Sequence, residues 1–267
     1  MTQLKWNDTG SKFFEAGVDR GVLYLDGADG VPWNGLISVS ESPSGGESQA
    51  YYLDGIRHVN RASPEEFAAT LEAFTYPDEF ASCDGAEEIA NGLALTQQRR
   101  KQFGLSYRTL VGNDMNDLGY AYKIHILYNA LAMPSEKEYL TLSDETEPST
   151  FSWEISTRPA KFEDAAFGVK YGAHLVLDSR VIYPWALEAV EAVLYGTDTT
   201  APRLPTPQEM LALFIDNALV QVVDNGDGTY TVTGPDQAIT DNGDDTFTIN
   251  WESVIQLNED EVQISSL

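Results

Sequence analysis

Hydrophobic and polar residues alternate along much of the first 180 positions, and this period of two predicts a chain built mainly from β-strands. Aromatic and β-branched residues, which favour strands, are concentrated in three runs: 120–128, 150–155 and 173–177. We therefore expect these three segments to be core strands.

A hairpin and a projecting loop are predicted near the N-terminus. Two extended patterns, 21–25 and 31–40, are separated by residues 26–30, whose glycines and aspartates are typical of turns. The next segment, Ser42 to Ser48, contains no apolar residue. We expect it to leave the body of the protein as a polar loop, because it has nothing to bury.

Helical periodicity is clear in one segment before residue 200. Apolar residues recur at helical spacing from Pro184 to Tyr195, and Gly196 follows as a stop signal, so the pattern predicts a packed helix. The segment 63–74 is ambiguous. Ser63 and Glu66 have the spacing of a helix-capping box, while the apolar residues that follow alternate as in a strand.

A small C-terminal module, 201–267, is predicted after a larger domain, 1–200. The polar, proline-containing stretch 197–205 cannot continue as a helix or a central strand. Thr206, Pro207 and Glu209 then form a helix start with a cap, a proline at the first position and a capping glutamate.

The rest of this module contains an internal repeat. Residues 222–232 match residues 239–249, and each copy reads as strand, tight turn, strand, with Asn-Gly in the turn. The predicted fold is therefore mainly β with one packed helix, followed by a helix-and-hairpin module.

The charge is strongly negative in both parts. The chain has 42 acidic and 16 basic residues, a formal charge of -26, and the module beyond residue 200 holds 12 of the acids with Arg203 as its one base. Such a balance disfavours nucleic-acid binding, which needs clustered Lys and Arg. No run approaches the roughly 18 apolar residues of a membrane helix, so we expect no membrane-spanning segment. The N-terminus lacks the apolar core of a secretory signal, so we do not expect the protein to be secreted.

Calcium is the most specific chemistry that the turns suggest. Side-chain oxygens of Asp224, Asp227, Asp241 and Asp244 crowd two glycine-containing turns, as calcium ligands do. However, no glutamate closes either set, and Asn-Gly and Asp-Gly sequences also serve as ordinary hairpin turns. We therefore treat these four aspartates as weak candidates and expect no metal or cofactor.

The remaining reactive residues do not suggest an enzyme. Cys83 lies among acids, which raise the pKa of a thiol, and the three histidines are scattered, so neither a nucleophile nor a Cys/His metal site is expected. His125 and His174 lie in apolar strand patterns, where hydrogen-bonded structural histidines are common. Paired carboxylates of a hydrolase remain an alternative only because acids are so numerous.

Several long stretches resemble the major tail protein of long-tailed, siphovirus-type bacteriophages, especially those infecting actinobacteria. The similarity spans nearly the whole chain and is carried by Trp6–Gly10, Phe14–Tyr24, Gly35–Glu47, Phe74–Phe80 and the ending from Tyr230 to Leu267. It implies a virion protein, assembled in the host cytoplasm, whose hexameric rings stack into a hollow tail tube. The tube would enclose a tape-measure protein, meet tail terminator and tail-tip proteins, and conduct DNA into the host.

The resemblance also implies details of the fold. Tube subunits have a sandwich- or barrel-like β fold with one packed helix, so 65–76 is expected to be a strand. Ser42, Pro43, Ser44, Gly45, Gly46, Glu47 and Ser48, with Tyr51 and Tyr52 beyond them, are candidates for an arm that orders against the next ring. The 201–267 module is expected to face outward and to be dispensable for polymerisation.

The charged residues suggest how such subunits would bind one another and how they would avoid binding DNA. The basic cluster Arg99, Arg100 and Lys101 is a candidate for pairing with acids of a neighbouring subunit. Acids lining a conduit would keep DNA from adhering as it passes. The main alternative is a secreted or surface β-sandwich module for adhesion or carbohydrate binding, which the repeated hairpins would also fit.

Overall fold

The computed structural model describes residues 6–46, 48–54, 56–62, 65–139, 141, 148–164, 168–215, 221–224, 230–233, 239–241 and 247–249. Strands predominate among them, as predicted, and there are two α-helices, α1 (Pro184–Tyr195) and α2 (Pro207–Ile215). A short 3₁₀ helix covers Asp78–Ser82. No helix in these ranges is long and apolar enough to cross a membrane.

The strands are numbered in chain order. They are β1 Phe13–Tyr24, β2 Val31–Pro32, β3 Leu36–Glu41, β4 Ser44–Gly45, β5 Ser48–Leu53, β6 Ile56–Ala62, β7 Glu65–Glu66, β8 Ala68–Ala73, β9 Glu87–Ala90, β10 Leu93–Leu95, β11 Phe103–Asn113, β12 Asp117–Ala132, β13 Phe151–Thr157, β14 Ala160–Asp164, β15 Gly168–Gly172, β16 His174–Asp178, β17 Gln221–Asp224, β18 Tyr230–Thr233, β19 Ile239–Asp241 and β20 Phe247–Ile249.

An eight-stranded antiparallel sheet forms the body of the protein. Its strand order is β2-β1-β11-β12-β13-β8-β3, and β16 pairs with β12 beside this path. Strand β12 is the longest, with 16 residues, and it pairs with β11, β13 and β16 along different parts of its length. The strands predicted at 120–128, 150–155 and 173–177 are therefore confirmed as parts of β12, β13 and β16.

The two faces of this sheet carry two separate hydrophobic clusters, because successive side chains of a strand point to opposite faces. On one face, Leu23, Leu105 and Leu127 pack with residues of β8, β13 and the 3₁₀ helix, so the sheet curls around an inner core. On the other face, Ile124 and Ile126 pack against the helices in an outer core.

The outer core is covered by α1, α2 and the segment between them. Val190 and Leu194 of α1 and Met210 of α2 are buried there. The Tyr128 hydroxyl donates a hydrogen bond to the carbonyl of Pro205 at 3.1 Å. A Cβ atom added at Gly104 would lie 2.5 Å from Cδ2 of Leu204, so a larger residue here would displace the Leu204 side chain.

The predicted helices are confirmed, and the start of α2 has the predicted capping box. The backbone N–H of Glu209 donates to Oγ1 of Thr206 at 3.2 Å, and the backbone N–H of Thr206 donates to Oε2 of Glu209 at 2.9 Å. Because residues 202–214 pack with the body, the predicted boundary at residue 200 falls at the start of a packed segment. The division into 1–200 and 201–267 stays a prediction.

Two local expectations were wrong in part. The extended pattern 31–40 is not one strand, because Trp33 turns into the inner core, its indole N–H donates to the Thr75 carbonyl at 3.0 Å, and Gly35 takes a φ of 91°. Only β2 pairs with β1 as the predicted hairpin, whereas β3 pairs with β8. The ambiguous segment 65–76 does contain strands, as the resemblance implied.

The polar segment 42–48 was predicted as a projecting loop; its residues 42–46 are exposed, but part of it is strand, which is the second correction. Ser44 and Gly45 pair with Glu66 and Glu65, and Ser48 pairs with Ala62. Backbone hydrogen bonds between strands do not require apolar side chains, so the absence of apolar residues did not reveal these pairings.

The predicted repeat near the C-terminus is confirmed as two strand pairs, β17 with β18 and β19 with β20.

Candidate functional site

A long β-arm leaves the sheet after Glu41, the last residue of β3. Strands β4 and β7 form its base, and β5 and β6 pair from Ser48 opposite Ala62 to Leu53 opposite Ile56. We call residues 44–66 the arm. Of the predicted stacking residues, Ser42, Pro43, Ser44, Gly45 and Gly46 are exposed at its base, and Ser48, Tyr51 and Tyr52 lie in β5. Glu47 lies outside the described residues.

A second hairpin, β9–β10, exposes a set of apolar side chains. All residues from 87 to 97 are exposed, and Ile89, Leu93 and Leu95 keep 60%, 56% and 51% of their surface in solvent. We call residues 87–95 the apolar hairpin. A two-stranded hairpin is marginally stable alone, and clustered exposed apolar residues mark interaction sites.

Two strand edges of the main sheet are also open. Among the described strands, β1 pairs on one side with β11 and on the other only with β2, at Val22 and Leu23. Strand β3, at the opposite end of the strand order, pairs with β8 alone within the described part of the chain. Open edges present backbone groups that can pair with a strand of another chain.

The basic cluster Arg99, Arg100 and Lys101 contains one side chain that bonds within its own chain and two that are exposed to solvent. The Arg100 guanidinium lies 3.1 Å from the Asp84 carboxylate and donates to the carbonyls of Ala132 and Met133 at 3.3 Å, so it is used within its own chain. Arg99 and Lys101 have exposed side chains. The predicted pairing of this cluster with a neighbouring subunit stays a prediction, and the geometry restricts it to Arg99 and Lys101.

A cluster of polar side chains joins the base of the arm to the centre of the sheet. His125 of β12 lies opposite Tyr107 of β11 in the strand pairing, and their rings stack with centroids 4.6 Å apart. His174 of β16 lies opposite Leu127, two residues along β12 from His125. Strand β3 passes close enough for Glu41 to join them. We call Glu41, His125 and His174 the histidine cluster.

Short distances connect its members. Nδ1 of His125 lies 3.1 Å from Nε2 of His174, and these two nitrogens lie 3.4 Å and 3.8 Å, respectively, from Oε1 of Glu41. The Tyr107 hydroxyl donates to the same Glu41 oxygen at 2.9 Å, and Oγ1 of Thr109 lies 3.0 Å from Nε2 of His125. Among the residues that the structure describes, this is the group whose donor atoms could hold a metal ion.

Burial controls the protonation of these side chains. Burial, with a smaller contribution from the neighbouring His174, lowers the pKa of His125 to about 4. Burial also lowers the pKa of His174, while the Glu41 carboxylate acts in the opposite direction. Both imidazoles are therefore neutral at pH 7. Burial raises the pKa of the Tyr107 hydroxyl, with Glu41 adding to the effect, so this group stays a hydrogen-bond donor.

Sequence reasoning identified the hydrogen-bonded histidines but not the cluster. The alternating pattern places His125 on the same face as Leu127, but it does not reveal that β16 and β3 bring His174 and Glu41 to that face. Separations of 84 and 49 residues give no spacing signal of the kind that marks a metal site in sequence.

Two of the four candidate calcium ligands lie among the residues that the structure describes. Asp224 ends β17 and Asp241 ends β19, while Asp227 and Asp244 lie outside the described residues. Calcium binding at these turns stays a prediction.

Comparisons with known proteins give weak likenesses. No family model matches the chain, and no curated protein matches it. Among solved structures, a chain of the cryo-EM structure of the anti-feeding prophage baseplate, six-fold symmetrised, aligns at 9% identity and a TM-score of 0.33, covering 65% of this chain and 97% of that one. A chain of the cryo-EM structure of an extracellular contractile injection system, the PVC sheath-tube complex in its extended state, aligns at 14% identity and a TM-score of 0.26, covering 60% and 88%. Superpositions this weak define neither fold nor function.

Proposed function

We propose that this chain is a structural subunit of a bacteriophage tail that assembles with copies of itself. The observation that carries the proposal is the apolar hairpin, because Ile89, Leu93 and Leu95 remain more than half exposed in the single chain. Burying a fully exposed side chain of this size is worth about 1.5–3 kcal/mol, and more than half of each of these three remains to be buried. A protein that leaves three of them on one small hairpin gains by covering them with a partner.

A second copy of the chain is the partner that the open edges favour. A subunit with free backbone groups on β1 and on β3 can pair edge to edge with neighbours on both sides. If the rotation between neighbours closes, such head-to-tail contacts give a ring without unpaired edges. The resemblance in sequence to major tail proteins supports hexameric rings that stack into a tube.

The arm supports the stacking step. It extends from the end of β3 as two paired strands, and its base residues 42–46 are exposed. We propose that the arm contacts the next ring, that the tube encloses a tape-measure protein, and that tail terminator and tail-tip proteins cap its two ends.

The negative charge fits a conduit for DNA. A formal charge of -26 with 16 basic residues gives an inner wall few groups that could hold phosphates. We propose that DNA passes as a cargo that does not adhere, in a tail assembled in the host cytoplasm, and that the chain is not an enzyme.

Assembly of the purified protein tests this proposal. We expect negative-stain images of the full chain to contain rings or tubes, and light scattering to report oligomers. The triple variant Ile89→Asp, Leu93→Asp, Leu95→Asp is expected to stay monomeric at concentrations about 100-fold above the wild-type assembly threshold, because the three lost apolar contacts are together worth about 3 kcal/mol. Its circular dichroism should match that of the wild type.

Thr96→Asp is the matched control, since Thr96 is exposed next to the same hairpin. It adds a charge without removing an apolar contact and should assemble normally. A wild-type chain that remains monomeric under all conditions, or a triple variant that assembles like the control, would refute the proposal.

The role of the arm needs its own variant. Replacing residues 47–63 by a two-glycine turn keeps β4 and β7 but removes the β5–β6 ladder. We expect a folded protein that forms single rings and no tubes. Normal tubes from this variant would exclude a stacking role.

A further inference from the structure

We propose that the histidine cluster binds a divalent transition-metal ion, with Zn²⁺ as the best match. Three donor atoms from three separate strands converge here: Oε1 of Glu41, Nδ1 of His125 and Nε2 of His174. The proposed assembly contacts use the backbone edge of β3 and the arm, but none uses the side chains of Glu41, His125 or His174, so the metal site can be tested independently of the proposed function.

The distances between the donor atoms fit one ion. They form a triangle with sides of 3.1, 3.4 and 3.8 Å. The circle through the corners of such a triangle has a radius of about 2.0 Å, which is the length of a zinc–nitrogen or zinc–oxygen bond. For an ion slightly above the plane of the three atoms, these atoms would occupy three corners of a coordination tetrahedron. The fourth corner would be open to a water molecule.

The donor types select the metal. Two imidazole nitrogens and one carboxylate oxygen suit Zn²⁺ and its neighbours in the first transition row, whereas Ca²⁺ and Mg²⁺ prefer oxygen ligands alone. A neutral imidazole is the form that can donate a lone pair to the ion.

Surrounding groups orient the ligands, as they do in established metal sites. The Tyr107 hydroxyl fixes the Glu41 oxygen through a 2.9 Å hydrogen bond. Thr109 accepts a hydrogen bond from Nε2 of His125 at 3.0 Å in the tautomer that leaves Nδ1 free for the ion. The rings of Tyr107 and Phe67 pack against His125 and His174, with centroids 4.6 and 4.4 Å apart.

Metal binding would replace an existing hydrogen bond. The planes of the two imidazoles are inclined by 15° and Nδ1 of His125 lies 3.1 Å from Nε2 of His174, so without a metal ion these nitrogens share an N–H···N bond. For both nitrogens to face one ion, the His174 proton moves to its other ring nitrogen through solvent and the rings turn so that both lone pairs point toward the ion. No net proton is released by this tautomer change.

Such an ion would join three strands that are distant in sequence. Glu41 ends β3 at the base of the arm, His125 lies in the middle of β12, and His174 begins β16. The occupied site would fix the direction in which the arm leaves the sheet.

Zinc uptake by the purified full chain tests the proposal. After chelator treatment and removal of the chelator, titration calorimetry with Zn²⁺ should give one site per chain, and Mg²⁺ or Ca²⁺ should not compete at tenfold excess. Glu41→Gln, His125→Asn and His174→Asn should each abolish this site. Tyr107→Phe should weaken it about 10–100-fold, because it removes a group that orients a ligand.

His58→Asn is the matched control, since His58 lies in β6 and is not a proposed ligand. It should bind Zn²⁺ like the wild type. If a ligand variant misfolds, the wild type alone remains informative: added Zn²⁺ should shift the ring signals of two histidines in NMR spectra and leave the third unchanged. Absence of one-site uptake by the wild type, or uptake that survives all three ligand variants, would overturn the proposal.

Discussion

The indole N–H of Trp153 donates a hydrogen bond to Oδ1 of Asp84 over 3.1 Å. Trp153 is fully buried in the inner core, so its indole N–H cannot reach water and needs an acceptor within the protein. Asp84, at the edge of this core, supplies that acceptor. The same carboxylate pairs with Arg100 and Lys137, and only 9% of the Asp84 side chain is exposed. One carboxylate therefore satisfies three donors from three segments.

Asp84→Ala should strongly destabilise the chain. The change leaves two cationic side chains and an indole N–H without their acceptor, and removing one partner from a buried ion pair costs about 3–5 kcal/mol. Urea unfolding followed by tryptophan fluorescence measures the free energy. Asp78→Ala, an exposed position in the 3₁₀ helix, should change it by less than about 0.5 kcal/mol. Equal effects of the two substitutions would show that the Asp84 contacts contribute little.

Chains ending after residue 200 and after residue 215 should differ sharply. The shorter chain lacks Leu204 and Met210, which cover the outer core, and it leaves the buried Tyr128 hydroxyl without the Pro205 carbonyl. We expect its melting temperature to fall by at least about 10 °C, since each kcal/mol corresponds to about 2–4 °C in a chain of this size. The 1–215 chain should melt close to the full chain. Similar melting of both truncations would support a boundary at residue 200.

The capping box of α2 should contribute measurably to stability. Thr206→Ala removes the acceptor for the Glu209 backbone N–H and should cost about 1 kcal/mol, while Thr206→Ser keeps the hydroxyl and should cost much less. Chemical unfolding of the three proteins compares these values. A serine variant as unstable as the alanine variant would exclude a capping role for the hydroxyl.

Glu209 of this capping box should make the free energy of unfolding depend on pH in the acidic range. Hydrogen bonds from Arg203 and from the Thr206 backbone lower the pKa of Glu209 below its ordinary value of 4.5. A lowered pKa means that this stabilisation is present above pH 4.5 and is lost as the pH falls through the folded-state value. The difference in unfolding free energy between the wild type and Glu209→Gln should therefore shrink below pH 4.5. A difference that stays constant down to pH 3 would contradict this assignment.

The thiol of Cys83 should be unreactive in the folded chain, and its ionisation should lower the free energy of unfolding only at alkaline pH. Burial raises the pKa of its thiol to about 11 from an ordinary value of 9.0. The stabilising protonated state is therefore complete below pH 9.0 and is lost as the pH rises toward 11. The stability of the wild type relative to Cys83→Ala should fall by about 1.4 kcal/mol per pH unit in this window. Iodoacetamide should label the native thiol at pH 8 far more slowly than the unfolded one, and equal rates would contradict burial.

Elements that depend on local periodicity were predictable. Helix α1 begins and ends as its spacing and Gly196 indicate, and the apolar alternation of β12 places Ile124 and Leu127 on opposite faces. These features follow from a few neighbouring residues.

Features that depend on strand pairing were not predictable. Ser44 and Gly45 form a ladder with Glu66 and Glu65 through backbone groups that every residue carries, so composition gave no signal. Trp33 interrupts an extended pattern because its indole reaches Thr75, 42 residues away. The histidine cluster likewise requires knowing that β3 and β16 both approach β12.

The order of synthesis gives the position of α2 a further consequence. The outer face of the sheet, with Ile124, Ile126 and Tyr128, is complete once β16 has been made, but its cover ends only with Phe214. Until residues 202–214 have been made, α1 covers only part of this face, and exposed apolar surface on a nascent chain favours aggregation. The outer core is therefore fully covered only after translation has passed α2.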